Sequence, residues 1–453
     1  MAKSGQATRR RDRSGRSMYR SRRRCGRATA VAAALLAPLL AASLAATALA
    51  GPASAAVAKT ATFGWHSRAL TAPPGAAKDP EAQLAGISCR NATDCLAGGS
   101  YQDKTGVPLP MVATESDGHW ARAISLELPA NAASAPDAGV ADVACWAVRS
   151  CIAMGNYAAG PTSASVGFVA TESDGSWGQA TELPVPEDAP ADPGADFSGA
   201  ACPARGSCVI VGSYQDSAGN PVPVVITESH GTWLQPRQIS LPASAQGALG
   251  AQLISVACQT AGSCAAVGSY IPRTGADHGL EVIESDGTWQ RGTEVRAPSG
   301  VKPRLGDFLT GVSCWADMCM AVGGYSAATG VLHPLAVSYS SGSWGRAVTV
   351  PAARKGAGVH SMAQLVSIAC TRAGCMAVGS YFGGGPGLVP IAASESGGRW
   401  NRTAPVPLPA GHGTGTESQA LLHAVACNGR ACTAAGFFLH TGPSVLAMVS
   451  AYR

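Results

Sequence analysis

Fourteen of the fifteen cysteines fall into seven close pairs: Cys89/Cys95, Cys145/Cys151, Cys202/Cys208, Cys258/Cys264, Cys314/Cys319, Cys370/Cys375 and Cys427/Cys432. Paired thiols at this spacing could ligate a metal or close a disulfide. A zinc site needs four ligands, and no histidine recurs with the pairs, so local disulfides are expected and no metal or cofactor is. In the chain-entropy picture each short loop so closed adds about 2 kcal/mol of stability, less any strain. A second set of residues could recognise a ligand. Six residues before each first cysteine stand Gln83, Gly139, Asp196, Gln252, Phe308, Gln364 and Leu421, with Asp142, Asp307 and His423 close by. Gln83, Asp142, Asp196, Gln252, Asp307, Gln364 and His423 could together hydrogen-bond a sugar or a peptide, or simply form a solvated rim. The sequence has no HExxH, Walker loop, GxSxG or dinucleotide fingerprint, and no catalytic residue can be named from it.

These residues need a scaffold that repeats. The first cysteines of successive pairs lie 56 or 57 residues apart, and similar words surround them, such as VACQTAGSCAAVGSY at 256–270 and IACTRAGCMAVGSY at 368–381. A fixed period of this length signals a repeat architecture. Each unit reads as four short strands. An apolar run ends at the first cysteine, and a second run opens at the other cysteine. A third follows a Gly/Pro/Asp loop, and a fourth opens with Trp after a tight turn of the Asp-Gly kind, a strong hairpin signal. No segment has helical periodicity. The chain is therefore expected to be all-β: a seven-bladed β-propeller of four-stranded antiparallel blades. The seventh unit lacks its Trp strand, and an orphan copy, Phe63-Gly64-Trp65-His66-Ser67-Arg68-Ala69-Leu70, precedes the first cysteine unit. This N-terminal strand is expected to complete the last blade and close the ring, which removes an exposed sheet edge.

The other recurring residues read as structural. Gly99, Gly155, Gly212, Gly268, Gly323, Gly379 and Gly436 share one strand position, suggesting close approach of a neighbouring blade. Tyr101, Tyr157, Tyr214, Tyr270, Tyr325, Tyr381 and Phe438 share another and read as packing. Glu115, Glu172, Glu228, Glu284 and Glu395 recur in too many units to be catalytic.

Residues 1–55 read as an export signal, leaving 56–453 for the propeller. Residues 1–27 carry eleven Lys/Arg and one acid, Ala28 to Ala50 is uncharged and Ala/Leu-rich, and A-x-A sites end at Ala50 and Ala55. This is the layout of a cleaved signal. Ser21-Arg22-Arg23-Arg24 faintly resembles a twin-arginine signal, but Cys25-Gly26 stands where an apolar pair is usual, so the general secretory route is expected. The competing reading is an uncleaved anchor, since the apolar run is long enough to span a bilayer; its Ala richness favours cleavage and no stable anchor. Loss of the signal leaves 22 bases and 27 acids, turning a chain of net charge +5 into a mature domain near −5. The remaining bases are scattered, with no stripe to follow a phosphate backbone, which argues against a nucleic-acid partner. The odd cysteine, Cys25, leaves with the signal. The rest points to a secreted monomer.

The turns Ser116-Asp117-Gly118-His119-Trp120, Ser173-Asp174-Gly175-Ser176-Trp177 and Ser285-Asp286-Gly287-Thr288-Trp289 resemble shortened Asp-boxes of sialidase-like propellers; His230, Ser341 and Gly397 replace the Asp in others. In that family the box is a folding element, so the likeness implies fold and not activity. A sialidase would also need an arginine cluster that the starts of the innermost strands lack. The whole mature chain also resembles a group of secreted, Cys-paired repeat proteins of high-GC actinobacteria, a group without an established role. Long connections at Leu128–Asp142, Leu183–Phe197, Pro298–Leu309, Ala352–Leu365 and Pro409–Leu421 lie opposite the short hairpins, and function is expected on that loop face, around the channel mouth. The expected role is a binding or interaction module for carbohydrate, cell-envelope material or protein. The alternatives are a glycan-active hydrolase or lyase, and a structural envelope protein.

Overall fold

The computed structural model describes residues 64–453, apart from 274, 302, 304–305, 328–329, 353–361, 383–386, 414–418 and 442–443. The export segment and Cys25 lie outside the described residues. Seven antiparallel sheets are arranged in a ring, each with its chain-order first strand innermost. The inner strands of blades 1 to 7 are Gln83–Cys89, Gly139–Ala147, Asp196–Ala204, Gly250–Thr260, Asp307–Trp315, Ala363–Thr371 and Ala420–Asn428. Each packs on its neighbours, including blade 7 on blade 1, so the ring is closed. No helix of the described residues is long and apolar enough to cross a membrane.

The last blade is completed by the N-terminal strand. Trp65–Ala69 pairs antiparallel with Val445–Tyr452, from Trp65 opposite Tyr452 to Ala69 opposite Met448. Gly64 and Arg453 exchange both backbone hydrogen bonds, at 3.1 and 3.3 Å. The closing joint is also tied by side chains: His423 Nδ1 donates to Leu84 O at 2.8 Å, Asn428 Nδ2 donates to Arg90 O at 3.2 Å, and the Arg453 guanidinium stands 3.5 Å from the buried Glu115 carboxylate. In the other six blades the outer strand is split by one extra residue. In blade 1 it comprises His119–Trp120 and Ile124–Ser125, with Trp120 opposite Glu115 and Ile124 opposite Val112.

All seven cysteine pairs are disulfides. In most blades the two cysteines face each other across the inner hairpin, as Cys258 and Cys264 do. Blade 3 differs: its register shifts between Ala201 and Ala204, yet Cys202 and Cys208 still bridge. The bridges are the expected local ones, and Cys208 and Cys319 show how deep they lie. Cys208 is 0% exposed and packs in a cluster with Ile210 and Val224; Cys319 is 5% exposed and packs with Val312 and Val337. Their remaining contacts are structural. The Cys208 N–H donates to Glu228 Oε2 at 3.2 Å, and Gln259 Nε2 donates to Cys319 Sγ at 3.9 Å. Each opens the second strand of its blade, which is covered on both faces, so neither sulfur is within reach of a ligand.

The next turn explains its own sequence. In all six tight turns both central residues have positive φ, for example Asp117 at 50° and Gly118 at 78°. That is the type I′ geometry favoured in two-residue hairpins, and the first slot accepts Asp, His, Ser or Gly.

The recurring glycine has a different cause from the one expected. Every inner strand carries a bulge, between Leu84 and Gly86 in blade 1 and between Leu253 and Ser255 in blade 4. A Cβ at Gly99 would lie 1.9 Å from Gln83 O, and one at Gly268 would lie 2.0 Å from Gln252 O. The close approach is made by the blade's own bulged inner strand, not by a neighbouring blade. The recurring aromatic is buried in six blades, as packing requires, and half-buried at Tyr381, and in several blades its hydroxyl also ties the loop face together. Tyr157 Oη donates to Asn131 Oδ1 and Glu182 Oε2, both at 2.8 Å; Tyr214 Oη donates to Asp188 at 3.1 Å; Tyr270 Oη donates to Glu294 Oε2 at 2.7 Å. Asn131 and Asp188 each sit two residues into a Pro-led turn, in which Ala132 N–H bonds Pro129 O and Ala189 N–H bonds Pro186 O. The connections vary in sequence but share this anchor.

Candidate functional site: the channel mouth and the blade joints

Just beyond each inner-strand bulge, glycine and polar residues alternate around the ring: Gly86, Asp142, Gly199, Ser255, Gly311, Ser367, and then Ala424. The polar side chains bond the backbone of the next blade: Ala200 N–H to Asp142 Oδ2 at 3.0 Å, Val312 N–H to Ser255 Oγ at 3.2 Å, and Val425 N–H to Ser367 Oγ at 3.2 Å. The glycines make room for them. A Cβ on Gly86 would meet Asp142 Oδ1 at 2.6 Å, and one on Gly199 would meet Ser255 Cα at 2.9 Å. Seven is odd, so the alternation must break once, and it breaks at Ala424, beside the closing joint.

This pattern divides the residues expected at the mouth. Asp142 is a joint residue: Oδ2 accepts from Ala200 of blade 3 and Oδ1 from the Val143 N–H at 2.8 Å, while burial pushes its carboxyl up to about 7. Asp307 stands one residue before the ring position, where the other blades have Ala (Ala82, Ala138, Ala195, Ala251, Ala363 and Ala420), and is 2% exposed. Its Oδ1 accepts the Gly279 N–H of blade 4 at 2.8 Å, and burial pushes its carboxyl up to about 6. His423, the bulge residue of blade 7, donates to blade 1. These three span joints 2/3, 4/5 and 7/1, so they do not share one space.

Gln83, Asp196, Gln252 and Gln364 do share a level. They pair with Ser100, Ser213, Ser269 and Ser380 of their own second strands, at the loop-face end of the inner strands. Gln83 and Gln252 are exposed, Asp196 is half-buried and Gln364 is buried. Their level is completed by Gly139, Phe308 and Leu421. Among the described residues none of the four side chains is spent on a hydrogen bond. Their amide and carboxylate groups are the uncommitted polar groups of the inner strands at this end.

Two features escaped sequence reasoning. The first is Glu281, in the third strand of blade 4, His278–Ser285. It is 2% exposed, at the position held elsewhere by Val112, Val169, Val225, Ala336, Ala392 and Val449. Its Oε1 has no hydrogen-bond partner among the described residues, and burial pushes its carboxyl up to about 8 against the pull of Arg296. An acid inside an otherwise apolar run was the available signal. The second is the residue after each first cysteine: Arg90, Trp146, Pro203, Gln259, Trp315, Thr371 or Asn428. This position reaches the next blade. Arg90 Nη1 donates to Cys145 O at 3.2 Å and Thr371 Oγ1 to Gly429 O at 2.8 Å. The disulfide face, whose hairpins differ in length by a single residue, is blade-specific at this position. Among the described residues, no cluster of three or more His, Cys, Asp or Glu is arranged to hold a metal ion.

The sequence matches no protein-family model and no curated protein. Similar solved structures include a polysaccharide lyase described as an ulvan lyase (10% identity, TM-score 0.46, 84% of this chain and 95% of that one). A Hadza microbial sialidase has 11% identity and a TM-score of 0.44, over 69% of this chain. The present chain spans 64% of that sialidase's length. A fucose-specific lectin from Aleuria aurantia has 12% identity and a TM-score of 0.37, over 67% and 89%. The class is defined by the sheets themselves: a seven-bladed β-propeller.

Proposed function

We propose that the protein is an exported, disulfide-stapled propeller whose loop-face channel mouth binds carbohydrate or cell-envelope glycan without turning it over. One observation carries this reading: Gln83, Gln252 and Gln364 bring unspent amides to one level of the mouth, with Asp196 as the single carboxylate among them. Glycoside hydrolysis needs two carboxyl groups flanking one bond, about 5–10 Å apart. Here the other two acids expected at the mouth, Asp142 and Asp307, are held in separate joints by backbone N–H groups. Amides at fixed positions on a rigid rim suit recognition of hydroxyl-rich ligands. Seven disulfides fit an oxidising, extracellular setting, and a net charge near −5 favours neutral over strongly acidic polymers. The test is a glycan and cell-wall binding screen of residues 56–453, with product analysis on every hit. Binding without turnover is expected. A screen negative for all sugars, or release of cleaved product, would contradict the proposal.

A further inference from the structure

We infer that the crevice between blades 6 and 7, on the disulfide face, is a second site that takes one neutral pyranose ring. It rests on the reading of the chain as a glycan binder, but lies at the opposite end of the inner strands from the mouth. The corresponding crevice between blades 1 and 2 shows what a closed joint looks like. There the Arg90 guanidinium crosses to Cys145 O, Glu115 is 2% exposed, and only about 20 Å³ of space remains. Between blades 6 and 7 the space is about 320 Å³.

Two local changes open it. The position of Arg90 is taken by Thr371, whose short side chain satisfies Gly429 O without filling the gap. The hairpin from Cys427 to Cys432 is also one residue shorter than that from Cys145 to Cys151. The exposed walls can meet a sugar from several sides. Glu395 is half-buried; its Oε1 accepts the Gly398 N–H at 2.7 Å and its second oxygen has no partner among the described residues. Asn401 Nδ2 donates to Ser394 Oγ at 3.0 Å, which leaves the amide oxygen as an acceptor. Arg430 is exposed and makes no ion pair or side-chain hydrogen bond among the described residues. The half-buried Tyr452 supplies apolar surface, with the buried Met376 behind it. Acceptors, a guanidinium donor and an aromatic flank in a hollow at the small end of ligand-pocket sizes match one pyranose, with its hydroxyl rim and C–H face. The Glu395 carboxylate disfavours an acidic sugar.

The experiment is calorimetric titration of the full mature ring with glucose, galactose, mannose, fucose and N-acetylglucosamine, and with glucuronic acid. At least one neutral sugar is expected to bind and glucuronic acid to bind more weakly. Glu395→Gln and Arg430→Ala should each weaken binding roughly tenfold or more, the scale of a lost charge-assisted hydrogen bond. Thr371→Arg, which rebuilds the plug of blade 1, should abolish it, and Gln83→Ala/Gln252→Ala separates crevice binding from any binding at the mouth. Thermal melts confirm that each variant is folded. No monosaccharide binding, binding indifferent to all three crevice variants, or equal binding of glucuronic acid would overturn the inference. Glycan binding lost only in the Gln83/Gln252 variant would overturn it while leaving the channel-mouth proposal standing. Monosaccharide binding lost only in the crevice variants would support it even if the mouth proved inert.

Discussion

Asp196 and Asp307 stand near the same end of their inner strands, and one residue of register separates their fates. Asp196 occupies the level of Gln83, Gln252 and Gln364 and keeps its carboxylate uncommitted. Asp307 comes one position earlier, where side chains on the opposite face of the pleat enter the joint, and it is bonded to Gly279 and buried. Successive residues of a strand alternate between faces, so neighbouring acids belong to different parts of the molecule. Polar residues on both sides of the pleat can hold the blades together, Asp307 toward blade 4 and Asp142, beyond the bulge, toward blade 3. Those at the ring level are free to meet a ligand.

That contrast can be broken at several points. The largest effect is expected from Gly268→Ala, which places a Cβ about 2.0 Å from Gln252 O and forces the bulge apart. A destabilisation of about 3 kcal/mol or more is expected in urea unfolding; a variant as stable as the parent would mean that the bulge is not a fixed feature. Next comes Asp142→Ala, which strips an acceptor from the Ala200 and Val143 N–H groups. It should cost about 1–3 kcal/mol, the penalty for unsatisfied buried donors, and Asp142→Asn should recover only part of it, because an amide NH2 cannot accept from the second N–H.

The joint acids also predict a pH dependence. Burial raises Asp142 to about 7, Asp307 to about 6 and Glu281 to about 8. For a carboxyl whose folded value is raised, the folded state holds the proton more tightly than the unfolded chain. Its stabilising contribution is complete below the ordinary carboxylate range and is lost as pH climbs through the raised value. Urea midpoints should therefore fall between pH 5 and pH 8. Glu281→Gln, neutral throughout, should flatten that fall, and an unchanged slope would contradict the assignment. The smallest effect on stability is expected from Gln83→Ala and Gln252→Ala, within about 0.5 kcal/mol of the parent, because exposed side chains without partners hold nothing together.

Much of the fold was legible in the sequence because its determinants are local and repeated seven times. The paired cysteines, the positive-φ turn before each Trp and the displaced copy at Trp65 each point to one arrangement. Pairing alone did not show how deep the sulfurs lie: Cys208 and Cys319 are core residues because the strand they open is sandwiched between neighbouring blades. The site was legible in part. Its ring level followed from counting six residues back from each first cysteine, but Asp142, Asp307 and His423 were grouped with it. Sequence distance does not show which face of a bulged strand a residue takes. The recurring glycine was misassigned to a neighbouring blade for the same reason, since the bulge that needs it leaves no mark of its own in the sequence. The crevice between blades 6 and 7 combines a hairpin one residue shorter than that of blade 2, a length shared by blades 5 to 7, with Thr371 where blade 1 has Arg90, and these differences acquire meaning only when two blades face each other.

The central claim is that the amide-bearing mouth binds glycan and the joint acids do not act on it. It is tested most directly by titrating the best oligosaccharide from the binding screen into the parent ring and into Gln83→Ala/Gln252→Ala, with unfolding curves on both. The account predicts weakened binding by the variant at unchanged stability. Undiminished binding in a folded variant would contradict it.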